Sequence, residues 1–463
     1  MNSKAQQYYR ELPGKKIFFL GAGISHRRLI KKFVQLGARV TLCDLKTRDQ
    51  FPESCAELEQ LGVDLRLGES YLDHLCDADL IFRSPGIEYT KPQIQAAVAR
   101  GIEVTSEIET FFRLCPCPIV GVTGSDGKTT TTTLIAELLK AADFRVHLGG
   151  NIGVPLLPLV DDMTPNDFAV VELSSFQLIS MRQSPDVAVV TNLAPNHLDH
   201  HASMQEYVDA KRNILLYQRP SGVAVLNAEN DITRGFADDV HGELRRFGVR
   251  RPVDHGAFVD ENHDLVLTRG GERTAVMSLD GIKLPGAHNR ENIAAAAAAV
   301  MSLVPEPIMR RVIAEFPGVE HRIELVSEKG GVRWYNDSIG TSPTRTIAGL
   351  RAFDQKVILL AGGYNKKISY APLAPEIVKN VKYLLLCGDT ARGIHDEVER
   401  CPGYDPSALP VEFTSGLAES VRRAHEIAES GDVVLMSPAS ASFDVYPNFE
   451  ARGRHFKELV RAL

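Results

Sequence analysis

The chain has 463 residues, 52 of them basic and 59 acidic, a net charge of −7, and 44% apolar residues. That length holds about three domains at ~150 residues each, and a mildly negative chain with no basic tract is excluded from broad nucleic-acid binding. The longest weakly polar run, Ile293 to Val304, is alanine-rich and falls short of the ~20 residues of a membrane helix, the polar N-terminus lacks a signal-peptide pattern, and seven scattered cysteines read as reduced thiols of a cytoplasmic protein.

Lys16–Leu20 reads as a buried strand, Gly21–Ser25 as a turn, and Leu29, Ile30, Phe33, Val34 and Leu36 as one face of a helix closed by Gly37. Val40–Asp44 is a second strand, which completes a βαβ unit with an acidic residue at the second strand's tip. The glycine fingerprint of a dinucleotide site is incomplete, because His26 stands where the third glycine belongs. Asp44 reads equally as a ribose or base contact and as a solvated strand end. Strand 78–82 runs into Arg83-Ser84-Pro85-Gly86, a turn at a strand's C-terminal end, where open α/β sheets bind ligands. A short strand at 101–104 precedes a helix from Ser106 to Leu114. Cys115-Pro116-Cys117-Pro118 is a linker, since its prolines exclude a helix.

Pro118-Ile119-Val120 then leads into Gly121-Val122-Thr123-Gly124-Ser125-Asp126-Gly127-Lys128-Thr129-Thr130, with a helical pattern after it. Strand, glycine-rich turn and helix are the context of a phosphate-binding loop, in which backbone N–H groups and the helix N-terminus hold phosphate oxygens. Lys128 would reach the terminal phosphates and the Thr129 hydroxyl would ligate Mg²⁺. Asp126 is unfavourable inside an anion cradle unless it points outward. In Gly149-Gly150-Asn151 the asparagine reads as a substrate contact or, more simply, as holding its own turn. Glu172 ends a buried strand beside the loop, placed either to bind Mg²⁺ or to cap a helix. Asn196-His197-Leu198-Asp199-His200-His201 has no second ligand cluster to complete a zinc site, and His197 is the member assigned near the metal. Lys211, on a helix from Ser203, reads as a surface lysine on spacing alone. Residues 235–275 read as an irregular β excursion. Asn289 and Asn292 start an alanine-rich helix, with amides facing one way, suited to an adenine edge or to capping.

Taken in order, Gly-x-x-Gly-x-x-Gly-Lys-Thr-Thr, Glu-Leu-Ser-Ser-Phe-Gln-Leu, Asn-His-Leu-Asp-His-His and Gly-x-His-Asn-x-x-Asn resemble the Mur ligase family, ATP-dependent amide-bond-forming enzymes of peptidoglycan precursor synthesis. The N-terminal unit with Asp44 and Ser84-Pro85-Gly86, and the run Met436 to Asp444 with Asn448 to Gly453 after it, are similar to the family's D-glutamate-adding branch. The resemblance implies an α/β chain of three domains. These are a Rossmann-like domain at 1–115 for a UDP-linked substrate, a central P-loop ATPase domain at 116–319 with a mainly parallel sheet, and a Rossmann-like domain at 320–463 for the amino acid. It implies that Gly124, Ser125, Asp126, Gly127, Lys128, Thr129, Thr130, Asn289, Asn292, Arg322 and Asp337 bind ATP. Ile24, Ser25, Asp44, Ser84, Gly86, Asn151, Ser174 and Gln177 would hold UDP-N-acetylmuramoyl-L-alanine. Thr341, Lys366 (or its neighbour Lys367), Ser442 and Phe449 would hold D-glutamate. Thr129, Glu172, His197 and Lys211 would serve two Mg²⁺ sites, and Lys128, Glu172, His197 and Lys211 the chemistry. Lys211 matches a lysine that family members carbamylate with CO₂, a reaction of the neutral amine that burial favours.

In the last third, Trp334–Ser338, Val357–Gly363, Val381–Cys387 and Val433–Ser437 read as strands that alternate with helices such as 416–429. Ile339 stands where many family members carry lysine. The expected enzyme is a monomer closing on its substrates about linkers near 115 and 320. A related folylpolyglutamate synthetase is disfavoured by the N-terminal domain, a non-catalytic nucleotide-binding protein by the presence of Glu172 and Lys211, and an oxidoreductase by the missing glycine.

Overall fold

The structure is a computed structural model that describes residues 2–195, 201–284, 286–365 and 368–463, with backbone only at Ile24 and Ala287. The chain divides into two compact units, Met1–Asp280 with Arg290–Ile313, and Gly281–Asn289 with Ala314–Leu463.

The first unit holds two sheets. The first comprises β1 (Lys16–Leu20), β2 (Arg39–Asp44), β3 (Asp64–Leu67), β4 (Leu80–Arg83) and β5 (Glu103–Thr105), in the order β3-β2-β1-β4-β5. All its pairings are parallel. Such a sheet is covered on both faces, so its strands are continuously apolar and neighbouring residues feed opposite cores. Phe19 joins Phe33 and Phe82 on one side, while Phe18 joins Ile81 and Ile94 on the other. The order reverses between β1 and β4, which puts the Gly21 turn and the Ser84-Pro85-Gly86 turn side by side at the strands' C-terminal ends. Gly21 has φ +95°, and a Cβ there would sit 3.0 Å from the Ser84 Cβ.

The second sheet comprises β6 (Ile119–Thr123), β7 (Val146–Gly150), β8 (Phe168–Glu172), β9 (Val187–Val190), β10 (Val223–Asn227), β11 (Glu243–Gly248), β12 (Gly256–Val259), β13 (Asp264–Arg269) and β14 (Glu272–Ser278). Their order is β14-β13-β12-β11-β10-β9-β6-β8-β7, parallel from β7 to β12 and ending in an antiparallel hairpin. The expectation of an irregular excursion at 235–275 is therefore corrected. The strands within those residues continue the central sheet, and β12 and the middle of β13 are buried on both faces. The helix Ala287–Val300 buries Ala294 to Ala299 completely or nearly so, and the small side chains let it lie close to its neighbours. The two sheets of this unit are joined by buried polar contacts. Arg83 donates to the Phe176 carbonyl (2.9 Å) and Ser180 Oγ (3.1 Å), Glu107 accepts from the Leu157 N–H (2.7 Å), and Asn2 donates to the Val160 carbonyl (3.3 Å).

The second unit carries β15 (Glu324–Lys329), β16 (Val332–Asn336), β17 (Val357–Gly362), β18 (Val381–Cys387), β19 (Val411–Phe413) and β20 (Val433–Met436) in the order β15-β16-β20-β17-β18-β19. Only β15 runs antiparallel. Arg452, on the helix Phe449–Ala462, is buried and ties two loops at the sheet's end together. Its guanidinium donates to Ser338 Oγ and to the carbonyls of Ser338, Ser440 and Ala441, at 3.0–3.1 Å. Burial pulls its pKa down to about 10, still far above neutrality. Arg452→Met strands several buried carbonyls and is expected to destabilise the protein by roughly 3 kcal/mol or more, read as a lower urea midpoint.

Candidate active site

The phosphate loop follows β6. Gly124 has φ +150° and Gly127 φ +77°. A Cβ on Gly124 would overlap Thr191 Oγ1, and one on Gly127 would overlap Asn292 Oδ1, so both positions demand glycine. Lys128 opens the helix Lys128–Ala141 and folds back over the loop, its Nζ donating to the carbonyls of Gly124 (3.0 Å) and Ser125 (2.9 Å). Ser125 Oγ meets Tyr207 Oη at 2.8 Å and the Ala194 backbone at 2.9 Å, which pins the loop from behind. Asp126 is exposed, which answers the objection to a carboxylate in the cradle, and Thr130 is buried in the first helical turn.

Glu172 is 2% exposed at the end of β8. Its Oε2 accepts from Thr129 Oγ1 (2.7 Å) and its Oε1 from Asn151 Nδ2 (2.8 Å). It does not cap the short helix after β8, a task taken by Ser174, which forms a reciprocal capping box with Gln177. Nor does Asn151 merely hold its own turn. A hydroxyl and a carboxylate side by side at a phosphate loop are hard oxygen donors of the kind Mg²⁺ prefers, so these residues fit the ion. His197, assigned to the same metal, lies outside the described residues.

Lys211 overturns its surface reading. It is 2% exposed, and its Nζ donates to Thr123 Oγ1 (3.1 Å) and the Gly124 carbonyl (2.9 Å). Burial, reinforced by the Lys128 charge, lowers its pKa well below the ordinary lysine value, while Glu172 and Asp126 pull the other way. The helix Met204–Leu216 runs under the loop, so spacing alone could not reveal that this face points inward.

A cavity of about 180 Å³ lies where the two sheets of the first unit meet, lined in part by Ser25, Asn151 and Gln177. Three further assigned residues do not line this cavity. Asp44 is no free strand end, because its carboxylate accepts from the Ala22 N–H (2.6 Å) and the Lys46 N–H (2.9 Å) and so braces the glycine turn. Ser84 sits against Gly21, and Gly86 borders an adjoining cavity with Phe176 and His201. Of Ile24 only the backbone is described. The structure adds His26, Arg83 and Glu107 to the first cavity's wall. A charged residue closing the apolar strand β4 was the one sequence signal for Arg83, and nothing marked Glu107.

In the second unit Asp337 is 3% exposed, and its Oδ2 accepts from Ser437 Oγ (2.6 Å). Burial raises its pKa to about 6 despite that bond and the opposing charges of Arg322 and Arg345. Arg345 donates to the Ile339 carbonyl (3.0 Å), so a cation serves this loop although position 339 lacks one. Thr341 is half-buried. Ser442 is buried and does not cap the last helix, since Asn448 does; Phe449 begins that helix with its ring 6.2 Å from that of His321. Lys366 and Lys367 lie outside the described residues. Asn289 belongs to the second unit and Asn292 to the first, both buried, with Asn292 Oδ1 accepting from Thr131 Oγ1 (3.3 Å).

Burial raises the Glu107 pKa from 4.5 to about 7, against N–H donors at Leu157 and Leu156. The folded protein keeps this proton between those values while the unfolded chain has lost it. The stability it contributes is thus full below pH 4.5 and is lost as pH rises through 7, a swing of about 3 kcal/mol. Glu107→Gln is expected to be near neutral at pH 4.5 and stabilising at pH 8, as read by denaturation midpoints at the two pH values.

Three family profiles match in order: the MurD-like N-terminal domain of Mur ligases over residues 15–106, the Mur ligase middle domain over 122–300, and the Mur ligase glutamate ligase domain over 321–440. The UDP-N-acetylmuramoylalanine–D-glutamate ligase of Acetivibrio thermocellus is 48% identical, with all of both chains covered. The protein of the same name from Clostridium kluyveri is 46% identical over 96% of each. Among solved structures, the UDP-N-acetylmuramate–alanine ligase of Thermotoga maritima superposes with a TM-score of 0.58 at 20% identity, covering 97% of this chain and 99% of its own, a likeness of fold. With three profiles in register and near-half identity along its full length, the chain belongs to the Mur ligase family.

Proposed function

We propose that this chain is an ATP-dependent ligase that joins D-glutamate to UDP-N-acetylmuramoyl-L-alanine in peptidoglycan precursor synthesis. The observation that carries the reading is the convergence of Lys128, Thr129, Glu172 and the buried Lys211 on one phosphate loop, in a chain nearly half identical to ligases of that name. A free carboxylate is a poor acyl donor, and ATP supplies the leaving group. The L-alanyl carboxylate attacks the γ-phosphoryl of ATP to give an acyl phosphate and ADP. The D-glutamate amine then attacks the acyl carbon, and the tetrahedral intermediate collapses with release of phosphate.

In this reading the loop amides from Gly124 to Thr130 and the Lys128 ammonium hold the phosphates and offset charge gathering at the transferred group. Thr129 and Glu172, with His197 and Lys211, would hold Mg²⁺. When bound, the ion supplies electrostatic stabilisation of the phosphoryl oxygens. Asn289, Asn292, Arg322 and Asp337 are assigned to ATP, and Ser25, Asn151, Ser174 and Gln177, with Ile24, Asp44, Ser84 and Gly86, to the UDP-linked substrate. Thr341, Lys366, Ser442 and Phe449 are assigned to D-glutamate. We divide the chain for these roles at 1–115, 116–319 and 320–463, and take it to act as a cytoplasmic monomer. No helix among the described residues is long and apolar enough to cross a membrane.

Phosphate release from ATP, Mg²⁺ and UDP-N-acetylmuramoyl-L-alanine is expected to depend on D-glutamate. Equal release with L-glutamate would overturn the donor assignment, and none with either amine would overturn the ligase. The buried Lys211 amine, whose pKa is lowered by desolvation and by the Lys128 charge, is further expected to carry a carbamate. ¹³C-bicarbonate should give a carbamate NMR signal that is absent in Lys211→Met, and that variant should lose at least about 100-fold in turnover, the scale set by loss of one electrostatic contact to a transition state. An unlabelled Lys211 in a fully active enzyme would sink the carbamate.

A further inference from the structure

His26 breaks the glycine fingerprint of the first turn, and the ligase chemistry leaves it without a role. The ring is fully buried, at 0% exposure, at the start of the helix Ile24–Gln35. Its Nδ1 lies 2.8 Å from the Gly21 carbonyl, an acceptor, so Nδ1 carries the proton. Its edge packs on Phe19, with ring centroids 5.1 Å apart. That leaves Nε2 as a lone-pair acceptor, and it has no hydrogen-bond partner among the described residues. A buried acceptor left in that state costs about 1–3 kcal/mol. Desolvation, together with the charge of Arg83, lowers its pKa to about 4, against the weaker pull of the Gly21 bond. Across the neutral range the ring is therefore an acceptor and not a cation.

The same ring lines the cavity shared with Ser25, Arg83, Asn151 and Gln177. Arg83 is 1% exposed and directs its guanidinium to neutral oxygens, at the carbonyls of Ile87 (2.7 Å) and Phe176 (2.9 Å) and at Ser180 Oγ. Beside Glu107, the wall thus offers the Arg83 positive charge and, at His26, a nitrogen that can only accept. Phosphate oxygens are drawn to the first and repelled by the second, whereas a hydroxyl or amide N–H pairs with the second. A nucleotide-linked sugar carries both kinds of group within one molecule, and a ligand with phosphate alone does not.

We infer that His26 is a substrate-contacting specificity residue, its Nε2 accepting a hydrogen bond from a hydroxyl or amide N–H of the UDP-linked sugar bound in this cavity. The inference rests on the ligase reading for the identity of that substrate. It explains why a bulky ring is kept where the turn would accept glycine: the position trades a bare backbone approach for a side chain that reads a donor.

The test uses His26→Asn and His26→Gln in the full chain. Asparagine keeps a donor where Nδ1 stands and removes the acceptor; glutamine places an amide oxygen within reach of the Nε2 position. For His26→Asn the KM and the calorimetric Kd for UDP-N-acetylmuramoyl-L-alanine are expected to rise roughly 10-fold, the value of one hydrogen bond. The KM for ATP and for D-glutamate should stay put. His26→Gln should recover part of the loss. Wild-type affinity for the UDP-linked sugar in His26→Asn would overturn the inference, as would a parallel rise in every KM with a fall in melting temperature, which marks a packing role. Calorimetry separates the two levels. Binding that weakens in His26→Asn, in a protein that releases no phosphate, would uphold His26 and defeat the ligase; no binding by the wild type would defeat both.

Discussion

One buried hydrogen bond, from the Lys211 amine to the carbonyl of Gly124, ties the helix Met204–Leu216 to the phosphate loop. That carbonyl belongs to the loop's first left-handed glycine, and it also accepts from Lys128. Two lysines therefore meet on one backbone oxygen, one from the helix that the loop opens and one from the helix that runs beneath it. Their mutual repulsion and the loss of water are what push Lys211 toward its neutral form. A neutral amine beside a phosphate loop is a nucleophile, whereas a lysine of ordinary pKa would be only another phosphate-binding cation.

The neighbouring carboxylate shows the complementary logic. Glu172 is as buried as Lys211, yet it is satisfied by two neutral donors, Thr129 and Asn151, one on each side. Neutral donors hold a carboxylate in place without cancelling its charge, so its attraction for a hard divalent cation is retained. Asn151 couples this centre to the cavity at the junction of the two sheets, since its side chain reaches Glu172 while the same residue lines the cavity wall. Within the first unit, the assigned phosphate-transfer centre and the assigned UDP-substrate pocket thus share a residue.

That junction has an apolar core, continuous from Phe33 through Phe111 and Leu157 to Val171, and polar contacts cross it as well. Arg83, Glu107 and Asn2 each spend hydrogen bonds on backbone groups across it. Such contacts fix a geometry more than they add stability, because each must first offset the cost of desolvating its polar group. Arg452 does the same in the second unit, where one guanidinium holds two loops at the C-terminal ends of β16 and β20.

The phosphate loop, its flanking strand and helix, Glu172 at a strand end and the alternation of strands and helices were legible in the residues alone, because each depends on local spacing and on backbone conformations that only glycine adopts easily. The family resemblance was legible for the same reason, as a run of such local signatures in order. Burial was not. Lys211 read as a surface lysine and 235–275 as an excursion, although the first is buried and the second extends the central sheet. Whether a helix face or a strand is covered depends on segments distant in the chain, and periodicity cannot report on them. His26, Arg83 and Glu107 make the same point, since their shifted pKa values arise from desolvation that two packed sheets impose together. The order of residues was enough to establish which chemical groups the chain carries and which turns present them. Packing settled which of those groups are taken out of water, because desolvation is set by everything around a group in space and not by its neighbours along the chain.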